Sequence, residues 1–262
     1  MPARQCFARR AAVTVRALAL EWPRRVTPAS LIRLCRDLTA AMLLLCASPA
    51  AAEIGVTASI FSDLQFRGYS LSSGHPVALL DFAYDDPSGA YAALSASAVA
   101  DDGVRPLGVQ ANLGYAKAIG SATTVDFGIS HSNYSEHSSD GSSTSYTEAY
   151  LGLAHKALSA RIYFSPHYFE KGTRTIYAEV NGGFSPAVKW SVDGHVGMLV
   201  PVSTRPTSEV QRTQFDWRAG LSREVGRASL HLALSGAGPG HDYYEERPHH
   251  RTALVAGVSL PL

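Results

Sequence analysis

The sequence predicts an all-β protein, specifically a transmembrane antiparallel β-barrel of about twelve strands. Three observations support this fold class. Apolar and polar residues alternate with period two in segments of about 8 to 13 residues after position 53, and no window shows convincing helical spacing. The connections between these segments alternate between long and short. The charged residues within these segments fall on a single parity, that is, on the alternate positions that share one face of a strand.

The chain divides into an expected leader, residues 1–52, and an expected barrel, residues 53–262. Eight of the 23 Lys and Arg residues and all three cysteines precede Glu53. An arginine-rich stretch, the apolar run "LTAAMLLLCA" and the small residues "SPAAA" follow one another, which is typical of a secretory signal peptide cleaved after Ala52. The apolar run has about ten residues, whereas a spanning helix needs roughly 20.

Two alternatives for the leader stay open. Cys46 could mark a lipoprotein, but the large Leu45 before it disfavours lipidation. The leader is also long for a signal peptide, so translation could begin downstream, for instance at Val26.

The residues after the leader exclude several function classes. They comprise 15 basic and 20 acidic residues, so this part of the chain is acidic, whereas a nucleic-acid-binding protein would carry a basic stripe. They contain no cysteine, which excludes disulfides, thiolate metal sites and cysteine nucleophiles.

The first predicted strand covers 54–67. Its apolar row begins at Ile54 and continues by parity through Leu64 and Phe66, while Asp63 and Arg67 fall on the polar row. On this interpretation the first outer loop runs from 68 to 76.

The same alternation predicts eleven further strands. For example, Ile176 and Val180 alternate with Tyr177, Glu179 and Asn181. The predicted strands are 77–84, 90–99, 107–118, 122–133, 144–156, 159–168, 173–184, 188–200, 213–225, 228–236 and 251–262.

The connections alternate in length in the way that outer-membrane barrels require. Long ones such as "YSEHSSDGSS" and "AGPGHDYYEERPHH" alternate with short ones such as "DDPSG" and "IGS", and "FEKG" is shorter than this scheme requires. Outer-membrane barrels place short turns and both termini in the periplasm and longer loops outside. Closure also removes unpaired strand edges.

The last predicted strand resembles the assembly signal of outer-membrane proteins. Gly257 precedes Leu260 and Leu262 by three and five positions. A terminal leucine in place of an aromatic residue, and Pro261, depart from that signal, so an ordinary final strand stays open as the alternative.

Charges on one parity are expected to point into the barrel, because Arg or Lys facing the bilayer midplane costs about 2 to 4 kcal/mol. Asp126 and Lys156 belong to this parity. The predicted lumen-lining residues are Asp63, Arg67, Asp81, Glu148, Arg161, Glu179, Lys189, Asp193, Asp216 and Arg218.

The string "SDLQFRGYSLSSGHPVALLDFAYDDPSGAYAALSAS" resembles the N-terminal hallmark of the proteobacterial TorF-type porin family. The matching positions are Ser62, Phe66, Arg67, Gly68, Ser70, Pro76, Ser88, Gly89 and Tyr91. Leu64 departs from it, because an aromatic residue is usual there. The resemblance implies an outer-membrane porin without an agreed substrate.

We therefore expect a bacterial outer-membrane barrel for passive passage of small polar solutes. Arg67 would either line the pore or form an internal ion pair. The alternative function is a closed structural or adhesive barrel that acts through its outer loops. The expected partners are outer-membrane lipid, small polar solutes and the barrel-assembly machinery, without nucleic acid.

Neither an enzyme nor a cofactor is expected. His155, His195, His231, Asp193, Asp216 and Ser235 are triad candidates, but no glycine-flanked serine elbow accompanies them. The last long loop contains further potential metal ligands, and a solvated loop is the favoured interpretation because the adjacent His249 and His250 cannot easily share one ion. These ligands are His241, Asp242, Glu245, Glu246, His249 and His250.

Overall fold

A computed structural model describes residues 52–135, 144–169, 172–202, 213–238 and 252–262. Within these ranges, twelve strands form one closed antiparallel barrel, and two short strands form a separate hairpin. The strands are β1 (Glu53–Phe61), β2 (Gln65–Phe66), β3 (Tyr69–Ser70), β4 (Val77–Asp85), β5 (Ala90–Ala100), β6 (Val104–Ala118), β7 (Thr123–Tyr134), β8 (Thr144–His155), β9 (Leu158–Ser165), β10 (Thr175–Ala187), β11 (Trp190–Pro201), β12 (Gln214–Val225), β13 (Ala228–Gly238) and β14 (Ala253–Pro261). Among the described residues, no helix is long and apolar enough to cross a membrane.

The barrel closes because β1 pairs antiparallel with both β4 and β14. Phe61 lies opposite Val77 on one side and opposite Gly257 on the other. The prediction of a twelve-stranded antiparallel barrel is confirmed, and eleven of the predicted strands agree with the structure to within three residues at each end.

The outer face of the barrel is apolar. Ile60, Leu80 and Ile162 are 57%, 51% and 56% exposed, and the residues on either side of them point inward. This arrangement inverts that of a soluble protein, in which such residues would be buried, and it is the arrangement that a bilayer requires.

The connections lie at two distinct ends of the barrel. The short-turn end carries the connections 86–89, 119–122, 156–157, 188–189 and 226–227. The long-loop end carries the connections 62–76, 101–103, 135–143, 166–174, 202–213 and 239–252. The connection containing "FEKG" is longer than expected because β9 ends at Ser165 and β10 begins at Thr175.

The prediction that the first strand continues to Arg67 is wrong. β1 ends at Phe61, and residues 62–75, here called the inner hairpin, turn into the barrel and contain β2 and β3. Phe66, which parity placed on the lipid-facing row, is only 5% exposed and belongs to the buried core. Parity holds only while a strand remains extended, and the chain leaves the extended conformation after Phe61.

Candidate functional site in the barrel interior

The inner hairpin is braced by Asp63. Its Oδ1 accepts hydrogen bonds from Ser70 Oγ at 2.5 Å and from Ser72 Oγ at 2.7 Å, and its Oδ2 accepts one from Gln65 Nε2. The Ser72 hydroxyl also accepts a hydrogen bond from the Leu64 backbone N–H at 3.0 Å. Asp63 therefore ties together the two arms of the hairpin and does not belong to the barrel wall.

The tip of the hairpin is a two-residue turn formed by Arg67 and Gly68, between the paired residues Phe66 and Tyr69. Both tip residues have positive φ, 48° and 78°, as a type I′ turn requires. Glycine adopts this conformation freely, whereas arginine does so at a cost. A side chain at Gly68 would also lack room, because its Cβ would lie 2.4 Å from the Ala237 Cβ.

Arg67 reaches across the barrel to Glu148. Its Nη2 donates to Oε1 at 3.0 Å and to Oε2 at 2.8 Å, and the two side chains are only 4% and 1% exposed. Glu148 lies on β8, which is seven strands from β1 around the barrel in one direction and five in the other. The ion pair therefore links the hairpin that follows β1 to a strand on nearly the opposite side of the barrel from β1.

Aromatic rings surround the Arg67 guanidinium group. Its Cζ lies 3.9 Å from the centroid of the Tyr177 ring, 5.3 Å from that of Tyr168 and 5.5 Å from that of Tyr163. Such distances are typical of cation–π contacts, which strengthen when the groups are shielded from water. Burial raises the pKa of Tyr168 to about 12 although the nearby Arg67 lowers it, so this phenol is neutral. We call Glu148 and these three tyrosines the guanidinium cage.

The two halves of the barrel interior differ in packing. Towards the long-loop end, many inner residues are at most 2% exposed; they include Val77, Val99, Ser130, Ser132, Tyr134, Glu148, Ser165, Thr175 and Tyr177. Towards the short-turn end, the ion-paired side chains of Arg218 and Asp193 are 50% and 38% exposed. The inner hairpin thus stands in a filled half, and the other half is open to solvent.

A second ion pair lies on the wall formed by β7 and β9. Arg161 Nη2 donates to Asp126 Oδ2 at 2.6 Å, and the Tyr91 hydroxyl donates to the same oxygen at 3.0 Å. Gly152 lies between these groups, and a Cβ there would be 1.9 Å from Asp126 Oδ1. A glycine on the inner face thus provides the space for this pair.

A hydrogen-bonded cluster around His195 occupies the adjoining wall, formed by β10, β11 and β12. His195 Nε2 lies 2.7 Å from Asp216 Oδ1, and its Nδ1 lies 2.7 Å from Asn181 Oδ1. The Tyr177 hydroxyl donates to both oxygens of Asp216 at 3.1 Å, so this cluster adjoins the guanidinium cage.

The predicted inward residues fall into three groups. Asp63 and Arg67 lie in the inner hairpin. Lys189 lies in the turn between β10 and β11 and Lys156 in the turn after β8, both with positive φ, so the prediction that these lysines occupy inner strand positions is wrong. The others occupy inward positions on the barrel strands: Asp81, Asp126, Glu148, Arg161, Glu179, Asp193, Asp216 and Arg218.

Sequence reasoning missed the cage tyrosines. Tyr163 and Tyr177 share the inward parity of Arg161 and Glu179, so parity could have identified them. Tyr168 lies in a connection, where no periodicity applies.

Of the triad candidates, His195 and Asp216 are hydrogen-bonded. His231 contacts Ser222 Oγ at 2.9 Å and Ser259 Oγ at 3.0 Å, and Asp193 pairs with Arg218. The described residues include no group of three or more metal-ligand side chains, and the candidate ligands between positions 241 and 250 lie outside the described ranges.

Known structures share this architecture. The NanC porin superimposes with a TM-score of 0.52 at 13% identity, covering 80% of this chain and all of its own. The KdgM porin gives a TM-score of 0.50 at 11% identity, covering 79% of this chain and 98% of its own. No curated protein matches the chain in sequence.

The fold is therefore that of an outer-membrane porin barrel, and the protein is located in the bacterial outer membrane. A family model matches residues 46–237, which is most of the chain and includes the inner hairpin and the cage. The chain belongs to the family Gcw_chp, described as bacterial protein of unknown function.

Proposed function

We propose that the protein is a channel for passive passage of small polar solutes across the outer membrane, as in the TorF-type porins that its N-terminal segment resembles. The observation that carries this proposal is the open half of the barrel, where Arg218 and Asp193 are paired and exposed on the inner face. An interior of this polarity suits hydrated solutes, whereas the apolar outer face suits lipid. The barrel-assembly machinery and outer-membrane lipid are its proposed partners.

The solute path is proposed to run along the inward-facing charged residues. From the short-turn end it passes the Arg218–Asp193 pair and then the Arg161–Asp126 pair and the His195–Asp216 pair. It then meets the inner hairpin and Glu148. Both signs of charge occur along this path, so we expect weak preference between anions and cations.

The inner hairpin is proposed to control the width of this path. Arg67 joins the hairpin tip to β8, and the described residues around it are closely packed. Passage of anything larger than a small ion therefore requires the hairpin to move away from Glu148.

A closed structural or adhesive barrel is the second candidate function, and the packing of the long-loop half favours it. We propose no enzymatic role. The His195–Asp216 pair adjoins Tyr177 and Asn181, and none of the hydrogen bonds described above joins it to a serine hydroxyl.

Planar-bilayer recording of the purified chain tests the channel. We expect small discrete conductance steps from the wild type and larger steps from Arg67→Gly, which keeps a residue suited to positive φ but removes the contact with Glu148. Gly74→Ala lies in the same hairpin, and no atom lies within 4 Å of the Cβ that it adds, so it is the matched control and should conduct like the wild type. Absence of conductance from both the wild type and Arg67→Gly would support the closed barrel.

A further inference from the structure

We infer that the barrel wall carries a binding site for guanidinium cations, which Arg67 occupies as a tethered ligand. The site is the guanidinium cage, formed by Glu148, Tyr163, Tyr168 and Tyr177. The claim that guanidinium compounds are solutes of the channel rests on the proposed function, whereas the claim that the cage binds them does not.

The cage has the chemistry that guanidinium recognition requires. Glu148 presents both carboxylate oxygens to the cation and is 1% exposed, so the ion pair is screened from water. The Tyr177 ring lies 3.9 Å from the guanidinium carbon, and a planar cation stacks on such a ring better than a compact ammonium group does.

The cage belongs to the barrel and not to the hairpin. Glu148 is on β8, Tyr163 on β9 and Tyr177 on β10, three consecutive strands joined by continuous pairing. Tyr168 follows β9 in the connection to β10. The positions of Glu148, Tyr163 and Tyr177 are therefore set by strand register, and none of the four cage residues belongs to the inner hairpin.

Arg67 does not occupy the cage in the most favourable geometry. Both hydrogen bonds to Glu148 come from Nη2, so only one of the three guanidinium nitrogens donates to the carboxylate. The Arg67 backbone also has an unfavourable positive φ of 48°. A free guanidinium ion can turn so that two of its nitrogens face the two oxygens of Glu148, which the tethered side chain does not do.

Small molecules that bear a guanidinium group are therefore the ligand class that the cage would bind when Arg67 leaves it. Such a solute would compete directly with the contact that holds the hairpin tip. Binding in the cage and movement of the hairpin would then be coupled through one carboxylate.

The test uses guanidinium chloride at low millimolar concentration, far below denaturing levels, with Arg67→Gly in detergent micelles. We expect guanidinium to raise the thermal unfolding midpoint of this variant saturably. The concentration that gives half of this rise should be at least tenfold lower for guanidinium chloride than for ammonium chloride, with sodium chloride added to hold the ionic strength constant. Arg67→Gly/Glu148→Gln should lose this response, and the wild type should show little of it because Arg67 already fills the cage.

Arg67→Lys keeps the positive charge and serves as the second variant if Arg67→Gly does not fold. It should also respond to guanidinium, because an ammonium group cannot reproduce the planar contact. An equal response to guanidinium and ammonium in the folded variants would overturn the inference. If guanidinium stabilises the variants but no bilayer conductance is seen, only the proposed channel is contradicted. If conductance is seen but guanidinium gives no specific stabilisation, only the proposed binding site is contradicted.

Discussion

Arg67 Nη2 donates to both carboxylate oxygens of Glu148, at 3.0 and 2.8 Å, although the two residues are 81 positions apart. This contact connects the tip of the inner hairpin to a strand on nearly the opposite side of the barrel. Because both side chains are almost fully buried, neither charge has water to replace its partner.

Loss of either partner should therefore destabilise the barrel strongly. Arg67→Met or Glu148→Gln alone is expected to lower the free energy of unfolding by roughly 3 to 5 kcal/mol, since each leaves a buried polar or charged group without its partner. The double variant should lose clearly less than the sum. Urea unfolding in lipid vesicles gives the free energy of unfolding of the wild type, the two single variants and the double variant. Additive losses would mean that the two side chains do not interact.

Gly68→Ala should loosen the hairpin tip. An alanine there is strained by its positive φ and would also place its Cβ 2.4 Å from the Ala237 Cβ and 2.9 Å from the Gly236 carbonyl oxygen. Gly74→Ala is the matched control, because φ is +81° there but no atom lies within 4 Å of the added Cβ.

The difference between these two alanine variants isolates the close packing of the tip from backbone strain, which costs about 1 kcal/mol in each. We expect urea unfolding in vesicles to begin at lower concentration for Gly68→Ala. Equal stability of the two variants would contradict the tight docking of the tip.

The unequal packing of the two halves predicts unequal access to the barrel interior. In a background where Cys6, Cys35 and Cys46 are serine, Arg218→Cys should react rapidly with a charged thiol reagent, because the Arg218 side chain is 50% exposed. Ser132→Cys should react at least tenfold more slowly, because Ser132 is 0% exposed. Mass spectrometry measures both rates, and equal rates would show that the long-loop half is open.

An arginine on the outer face should be costly. Ile162→Arg places a charge on the apolar outer face, and we expect a loss of about 2 to 4 kcal/mol if Ile162 lies near the bilayer midplane. Ser191→Arg is the matched control, because Ser191 lies on the inner face in the open half. Urea unfolding in vesicles compares the two, and an equally large loss for Ser191→Arg would contradict the assignment of the faces.

The barrel itself could be predicted from the sequence, because period-two alternation and alternating loop lengths are local properties. Ile162 and Arg161 occupy opposite faces simply because they are neighbours in an extended strand. The same rule failed at Phe66, where the strand had already ended, and at Lys189, where the chain turns.

The candidate site was predicted less completely. Parity placed Arg67 and Glu148 inward, but it does not tell which inward-facing side chains contact each other. Two side chains in contact across a barrel interior can lie on strands that are far apart in the strand order. Tyr168 could not be predicted at all, because it contacts Arg67 from a connection between β9 and β10.

The sequence by itself determined the membrane barrel, its strands and the face on which most charges lie, because each of these depends on residues within one segment. The tertiary structure alone decided that residues 62–75 fold inward and that Arg67 enters the guanidinium cage. The physical reason is that a buried charge takes whichever partner the closed barrel brings within reach, and barrel closure joins residues that no local pattern relates.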